Sequence, residues 1–169
     1  MKAAFAATVS FALFTCAFSA SADDDKLKFR GGIGVIPVSS GVGAAATAEV
    51  VNRNIVREVQ PPGQIWVIED LRAEISADGR TRVDGRGLLL GGGNNIGLNG
   101  GQSVRATLIC EAAAPFVQRN TGLVALEANG DFQIDDVLNP APPADGCASP
   151  VLLIRNAGGA WFAAGILKR

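Results

Sequence analysis

Residues 65–90 read IWVIEDLRAEISADGRTRVDGRGLLL, and the way this stretch folds back on itself decides the fold. Two runs that alternate apolar with charged residues flank Ala77-Asp78-Gly79, the composition of a β-hairpin turn. A two-residue loop at Asp78-Gly79 sets Ile75 opposite Arg82 and Glu74 opposite Val83, matching apolar with charged side chains. A three-residue loop, a type I turn with Gly79 left-handed, sets Glu74 opposite Arg82, Arg72 opposite Asp84 and Asp70 opposite Arg86, with Ala73 opposite Val83 on the other face. The second register is the expected one. Each exposed ion pair contributes roughly a few tenths of a kcal/mol, so the charges select the register more than they stabilise it. Ile65, Val67, Leu71 and Ile75 then form an apolar face that a one-residue slip would turn out to water. Farther from the turn the pairs become Ile68 with Leu88 and Trp66 with Leu90, an apolar end that needs a cover.

Outward from the hairpin the chain offers more strands of the same kind. Residues 27–38 are interrupted by Gly31, Gly32 and Gly34, which predict a bulge or an edge position. Residues 45–59 give a second strand, and Pro61-Pro62-Gly63 turns the chain into the hairpin. Residues 102–111 alternate Val104, Ala106, Leu108 and Cys110 with Ser103, Arg105 and Thr107, so one face of that strand is core. A second hairpin is expected over residues 121–138 through Ala128-Asn129-Gly130, with Leu126 opposite Phe132 and Val124 opposite Ile134. Glu127 falls opposite Asp131 there, which specifies that turn less well. Residues 151–167 close the chain as a last hairpin, with Trp161 and Phe162 on opposite faces. With 21 glycines and no long run of apolar positions at helical spacing, the chain reads as all-β: an antiparallel β-sandwich or flattened barrel of about eight or nine strands.

The first 22 residues have the charged start, short apolar run and small-residue ending of a secretory leader, with cleavage expected after Ala22. Cys16 is read as part of the removed segment, because Thr15 stands where a lipoprotein site carries a small residue. Residues 23–169 are then one secreted or periplasmic domain, without a membrane span in the mature chain. Asp23-Asp24-Asp25 reads as a solvated acidic tail, since it lacks the alternating ligands and turn glycine of a calcium loop. Cys110 and Cys147 are the only cysteines left after cleavage, and in an exported chain they are expected to be bridged.

The inventory bears on chemistry by what it omits. There is no histidine and no tyrosine, so the commonest general base, most metal sites and the usual triads are missing. Glu69 with Asp70 and Asp135 with Asp136 are the candidate carboxylate pairs, but neighbours on a strand point to opposite faces. No catalytic residue, metal site or cofactor is expected, and the net charge of −1 argues against nucleic acid. The most unusual segment is residues 91–101, GGGNNIGLNGG. It is either a ligand-contacting loop through Asn94, Asn95 and Asn99 beside Trp66, or a wide turn with Ile96 and Leu98 tucked over the apolar end of the hairpin.

The run IWVIEDLRAEISADGRTRVDGRGLLLGGGNNIGLNGGQSVRATLIC resembles a recurring pattern in small exported all-β proteins of uncharacterised function. The opening FRGGIGVIPVSSGVGAAATAEV is similar to the start of CHRD domains, which are extracellular β modules. These resemblances imply an exported β module and carry over no functional residue. Three readings follow: a structural or adhesive interaction module able to self-associate through an edge strand, a binder of small ligands or glycans using Trp66 or Trp161 as a stacking platform, and an inhibitor or effector of another extracellular protein. An exposed tryptophan would favour the binder, and an uncovered first strand would favour assembly.

Overall fold

The computed structural model describes residues 26–42 and 50–168. The expected leader with its cleavage site and Cys16, and the run Asp23-Asp24-Asp25, lie outside the described residues. In chain order the strands are β1 (Leu27–Gly34), β2 (Val38–Val42), β3 (Val50–Arg53), β4 (Trp66–Val67), β5 (Asp70–Ile75), β6 (Arg80–Arg86), β7 (Leu89–Leu90), β8 (Ser103–Ile109), β9 (Arg119–Asn120), β10 (Val124–Ala125), β11 (Phe132–Val137), β12 (Val151–Asn156) and β13 (Trp161–Lys168).

The central hairpin forms in the register that charge selects. Glu74 pairs with Arg82, Arg72 with Asp84, Asp70 with Arg86 and Ala73 with Val83. The Gly79 N–H donates to Ser76 O at 2.9 Å with Gly79 at φ 87°, the three-residue loop. Nearer its open end the hairpin departs from expectation. Gly87, at φ 63°, folds against Glu69, and on each strand the buried set changes from odd to even positions. Trp66 and Leu90 do pair and both are buried, whereas Ile65 and Val67 are 40% and 47% exposed rather than sharing the core face of Leu71 and Ile75. An irregularity facing Gly87 does locally what a one-residue slip would do to the whole strand. The cover for this end is Phe162, whose ring stacks on Trp66 at 3.9 Å between centroids.

The main sheet runs β10-β8-β12-β13-β1-β5-β6-β11, with β9 also on β8, and every ladder is antiparallel. From β6 the chain crosses to β8, returns to β11 beside β6, and crosses again to β12 beside β8, a Greek-key path. Where the ends of the sheet meet, the second hairpin turn forms as expected, with Glu127 N–H on Asp131 O at 2.9 Å and Gly130 at φ 83°. Its strands then part. Val124 pairs with Val104 on β8 and Ile134 with Val83 on β6, so the expected pairing of Val124 with Ile134 is corrected. Each strand finds a complementary apolar partner elsewhere, and the like charges of Glu127 and Asp131 do nothing to hold the two together. Asn120 and Asn139 exchange backbone hydrogen bonds across the seam at 3.0 and 2.9 Å, and the Asp136 carboxylate accepts from the Gly122 N–H at 2.7 Å. The result is a nearly closed antiparallel barrel, the barrel form of the expected architecture, with small ribbons β2-β3 and β4-β7 beside it.

Phe29, Leu71, Ile75, Val83, Leu108, Ile134, Leu152 and Ile154 fill the interior. The glycine-rich first strand is bulged as expected, with a register shift between Phe29 and Gly32 and Gly31 at φ 86°, but it lies between β13 and β5 and is no edge. Of the expected strand over residues 45–59, residues 45–49 lie outside the described residues, and among the rest only β3 is a strand. Residues 56–59 form a tight turn with Arg57 and Glu58 at φ 46° and 67°, the two Val56–Val59 bonds closing it at 3.1 and 2.9 Å. That turn is part of a segment laid over the outer face of β12 and β13. Trp161 donates its Nε1–H to Asn54 O and its backbone N–H to Gln60 O. The bridge between Cys110 and Cys147 forms as expected, with Cα atoms 4.6 Å apart, and ties the end of β8 to the crossing before β12.

Candidate functional site

The glycine-rich loop after β7 is built by its own backbone. Leu90 donates to Leu98 O at 2.9 Å and Gly97 to Leu90 O at 2.8 Å, with Gly93, Gly97, Gly100 and Gly101 all at positive φ. A side chain on Gly100 would begin 3.7 Å from Trp66 Cη2 and from Leu90 Cδ1, ordinary contact, so it is the φ of 57° rather than the space over the indole that calls for glycine there. Ile96 and Leu98 do not tuck back over Trp66; they are 65% and 55% exposed. The amides of Ile96, Gly97, Leu98 and Gly101 find acceptors in the loop and its base, and the place that Ile96 and Leu98 would have covered is taken by Phe162 and the Gly100 backbone.

The four residues singled out from the sequence meet different fates. Asn99 clamps the loop, its Nδ2 donating to Leu126 O at 3.1 Å and Glu127 O at 2.9 Å while its Oδ1 accepts from the Gly101 N–H. Its polar atoms are committed to the fold. Trp66 and Trp161 are both buried, and neither offers a ring face for stacking a sugar. Asn94 and Asn95 stand exposed at the tip, with Ile96 and Leu98 beside them.

What the sequence reading missed is an aliphatic surface around β1. Ile33 and Ile36 are 58% and 62% exposed. Ile33 is the register partner of Ala164, Ile166 reaches within 3.3 Å of the position a Gly31 side chain would take, and the Gly34 backbone abuts Val67. Val67 and Ile65 in turn press on Gly91 at the base of the loop. Exposed Ile33, Ile36, Ile65, Val67 and Ile166 thus lie on adjoining elements that close approach at glycine draws together. The signal was the bulge itself, which turns branched side chains of a glycine-rich strand outward.

The outer face of β1-β5-β6-β11 carries alternating charge. Arg30 bonds Glu74 at 2.7 Å and Arg82 bonds Asp135 at 3.1 Å, while Asp70 is held by Arg72 two residues away at 3.1 Å. The hairpin's register is as expected, but its charges do not pair across it: Glu74 and Arg82 turn to the outer neighbours β1 and β11, because each strand in a barrel has a second neighbour, and Arg72 turns to Asp70 on its own strand. The Arg30 guanidinium holds the Glu74 carboxyl below its ordinary range, and the Gly122 and Val137 amides do the same for Asp136. The carboxylate pairs noted in the sequence are split: Asp135 bonds Arg82 and Asp136 bonds Gly122.

A further clasp sits beside the disulfide. Arg119, buried, donates to Glu111 Oε1 at 2.8 Å and to Ala141 O at 3.2 Å, and the Glu111 carboxylate also accepts from the Val117 N–H. The hydrogen bond from Arg119, working against desolvation, holds the Glu111 carboxyl down at about 2. A cleft of about 430 Å³ opens nearby between Leu27, Ile75, Pro142, Pro143 and Cys147. Among the described residues no group of three His, Cys, Asp or Glu gathers where a metal ion could be held, and no helix is long and apolar enough to cross a membrane. No family model, curated protein or solved structure matches the chain.

Proposed function

We propose that the protein is an exported, non-catalytic interaction module, structural or adhesive in role, that meets another extracellular protein through the aliphatic surface around β1. One observation carries this reading: Ile33, Ile36, Val67 and Ile166 are exposed on elements that adjoin one another. Scattered exposed aliphatics are ordinary on a soluble domain, but a contiguous set is the mark of a contact surface. The leader-like first 22 residues, the disulfide and the similarity to extracellular CHRD modules support placement outside the cytoplasm. Self-association belongs to the same reading. With β1 paired on both sides, strand addition would go to the two-stranded β2-β3 ribbon rather than to β1. Glycan binding is the second reading, and what favours it is the exposed Asn94-Asn95 tip.

The test is a binding screen of the oxidised protein against extracellular proteins and a glycan array, with sedimentation of the same sample, comparing wild type with the Ile33→Asp, Ile166→Asp double variant. The reading expects a protein partner or a dimer that the double variant loses while its melting temperature is kept. Unchanged binding in the variant would refute it, and glycan binding lost on Asn94→Ala would move the function to the loop tip.

A further inference from the structure

We propose that Arg105 and Arg155 together form a site for one small oxyanion: a sulfate, phosphate or carboxylate group. The two residues are register partners on β8 and β12, so both side chains leave the same outer face of the barrel. Their acceptors are all neutral. Arg155 donates through Nε to Gly159 O at 2.8 Å and through Nη1 to Gln118 Oε1 at 2.6 Å, and Arg105 donates through Nη2 to Ala157 O at 3.2 Å. Among the described residues no carboxylate pairs with either. The other deeply buried arginine, Arg119, has Glu111 for its charge, which makes the exception at Arg105 and Arg155 conspicuous: two guanidinium groups side by side, one of them buried, with nothing negative between them.

Two observations point to a missing partner. Arg105 Nε is buried with no acceptor at all, a state that protein interiors rarely tolerate. Gly159, at φ 90°, keeps open the space beside Arg155, where a side chain would begin 3.0 Å from Nη2. An oxyanion at this place would accept from Arg155 Nη2 and from the Arg105 fork after a small rotation of that side chain, and would cancel the repulsion between the cations. The same group can arrive free in solution or as a substituent of an acidic oligosaccharide.

The experiment is thermal unfolding of the oxidised protein at constant ionic strength, with sodium sulfate replacing sodium chloride, for wild type and Arg105→Gln. Wild type is expected to gain stability saturably with sulfate. Arg105→Gln is expected to lose the saturable rise and, without sulfate, to melt no lower than wild type, because a like charge has gone. Should that variant fold poorly, the Arg105 Nε resonance of wild type supplies the second readout and is expected to shift saturably on titration with sulfate. A sulfated oligosaccharide binding more tightly than free sulfate would assign the source to a glycan, and equal affinity would assign it to the free ion. A rise with sulfate that never saturates, or one that Arg105→Gln shares, together with an unmoved Nε resonance, would overturn the proposal.

Discussion

The hairpins β5-β6 and β12-β13 are both antiparallel and tightly turned, yet they live in opposite surroundings. On β6 every second residue meets water, and Arg80, Arg82, Asp84 and Arg86 alternate with buried Thr81, Val83 and Gly85. On β12 four consecutive residues, Leu152, Leu153, Ile154 and Arg155, are buried, because the outer face is roofed by the segment that carries Asn54, Arg57 and Gln60. Alternation in sequence records one wet face, so a strand buried on both faces erases the record. The difference also separates two kinds of energetics: burial on the roofed half, screened charge on the open half.

Substitutions can break that contrast, and the largest effect belongs to the roof. Trp161→Ala removes a buried indole and its bond to Asn54 O and is expected to cost about 3–5 kcal/mol in chemical denaturation. Next comes the staple: converting Cys110 and Cys147 to alanine releases a span of 37 residues and should cost about 4 kcal/mol by the loop-closure argument. Glu111→Gln should cost roughly 1–3 kcal/mol at neutral pH. With its carboxyl held at about 2 when folded and at an ordinary value when unfolded, Glu111 contributes its stability in full above about pH 4.5 and loses it as pH falls through about 2. Subtracting the variant's stability from that of wild type across this window isolates it from Glu74 and Asp136, which titrate in the same sense. Arg82→Ala, on the open half, should change stability by no more than about 0.5 kcal/mol, and less in high salt. A cost there equal to that at Trp161 would abolish the distinction between the halves.

Legibility followed the same divide. The register of β5 on β6, the left-handed Gly79, the bulge at Gly31 and the bridge from Cys110 to Cys147 could all be read from residues, because each leaves a local mark in charge, glycine or cysteine. The parity change at Gly87 could not, since the alternation of Trp66, Val67 and Ile68 is apolar at every step and fits either face. Nor could the parting of β10 from β11, which depends on which distant strand offers the better partner. Asn99 shows the same gap at the candidate site: an amide in a glycine-rich loop reads as a ligand contact until its acceptors, Leu126 O and Glu127 O, are seen to come from another turn. The aliphatic surface was hidden because Ile33 and Ile166 look like core residues in isolation; the bulge in β1 turns Ile33 out beside Ile166, which alternation on β13 already places outside.

Native-state hydrogen exchange of the oxidised protein tests the division most directly. Backbone amides of β12 and the β8 amides facing it should exchange only through global unfolding, while those of β11 along the seam, held by Asp136 and the Asn120–Asn139 bridge, should open at lower free energy. If the seam amides of β11 proved as protected as β12, or β12 exchanged through local opening, the roofed half would not be what holds the barrel together.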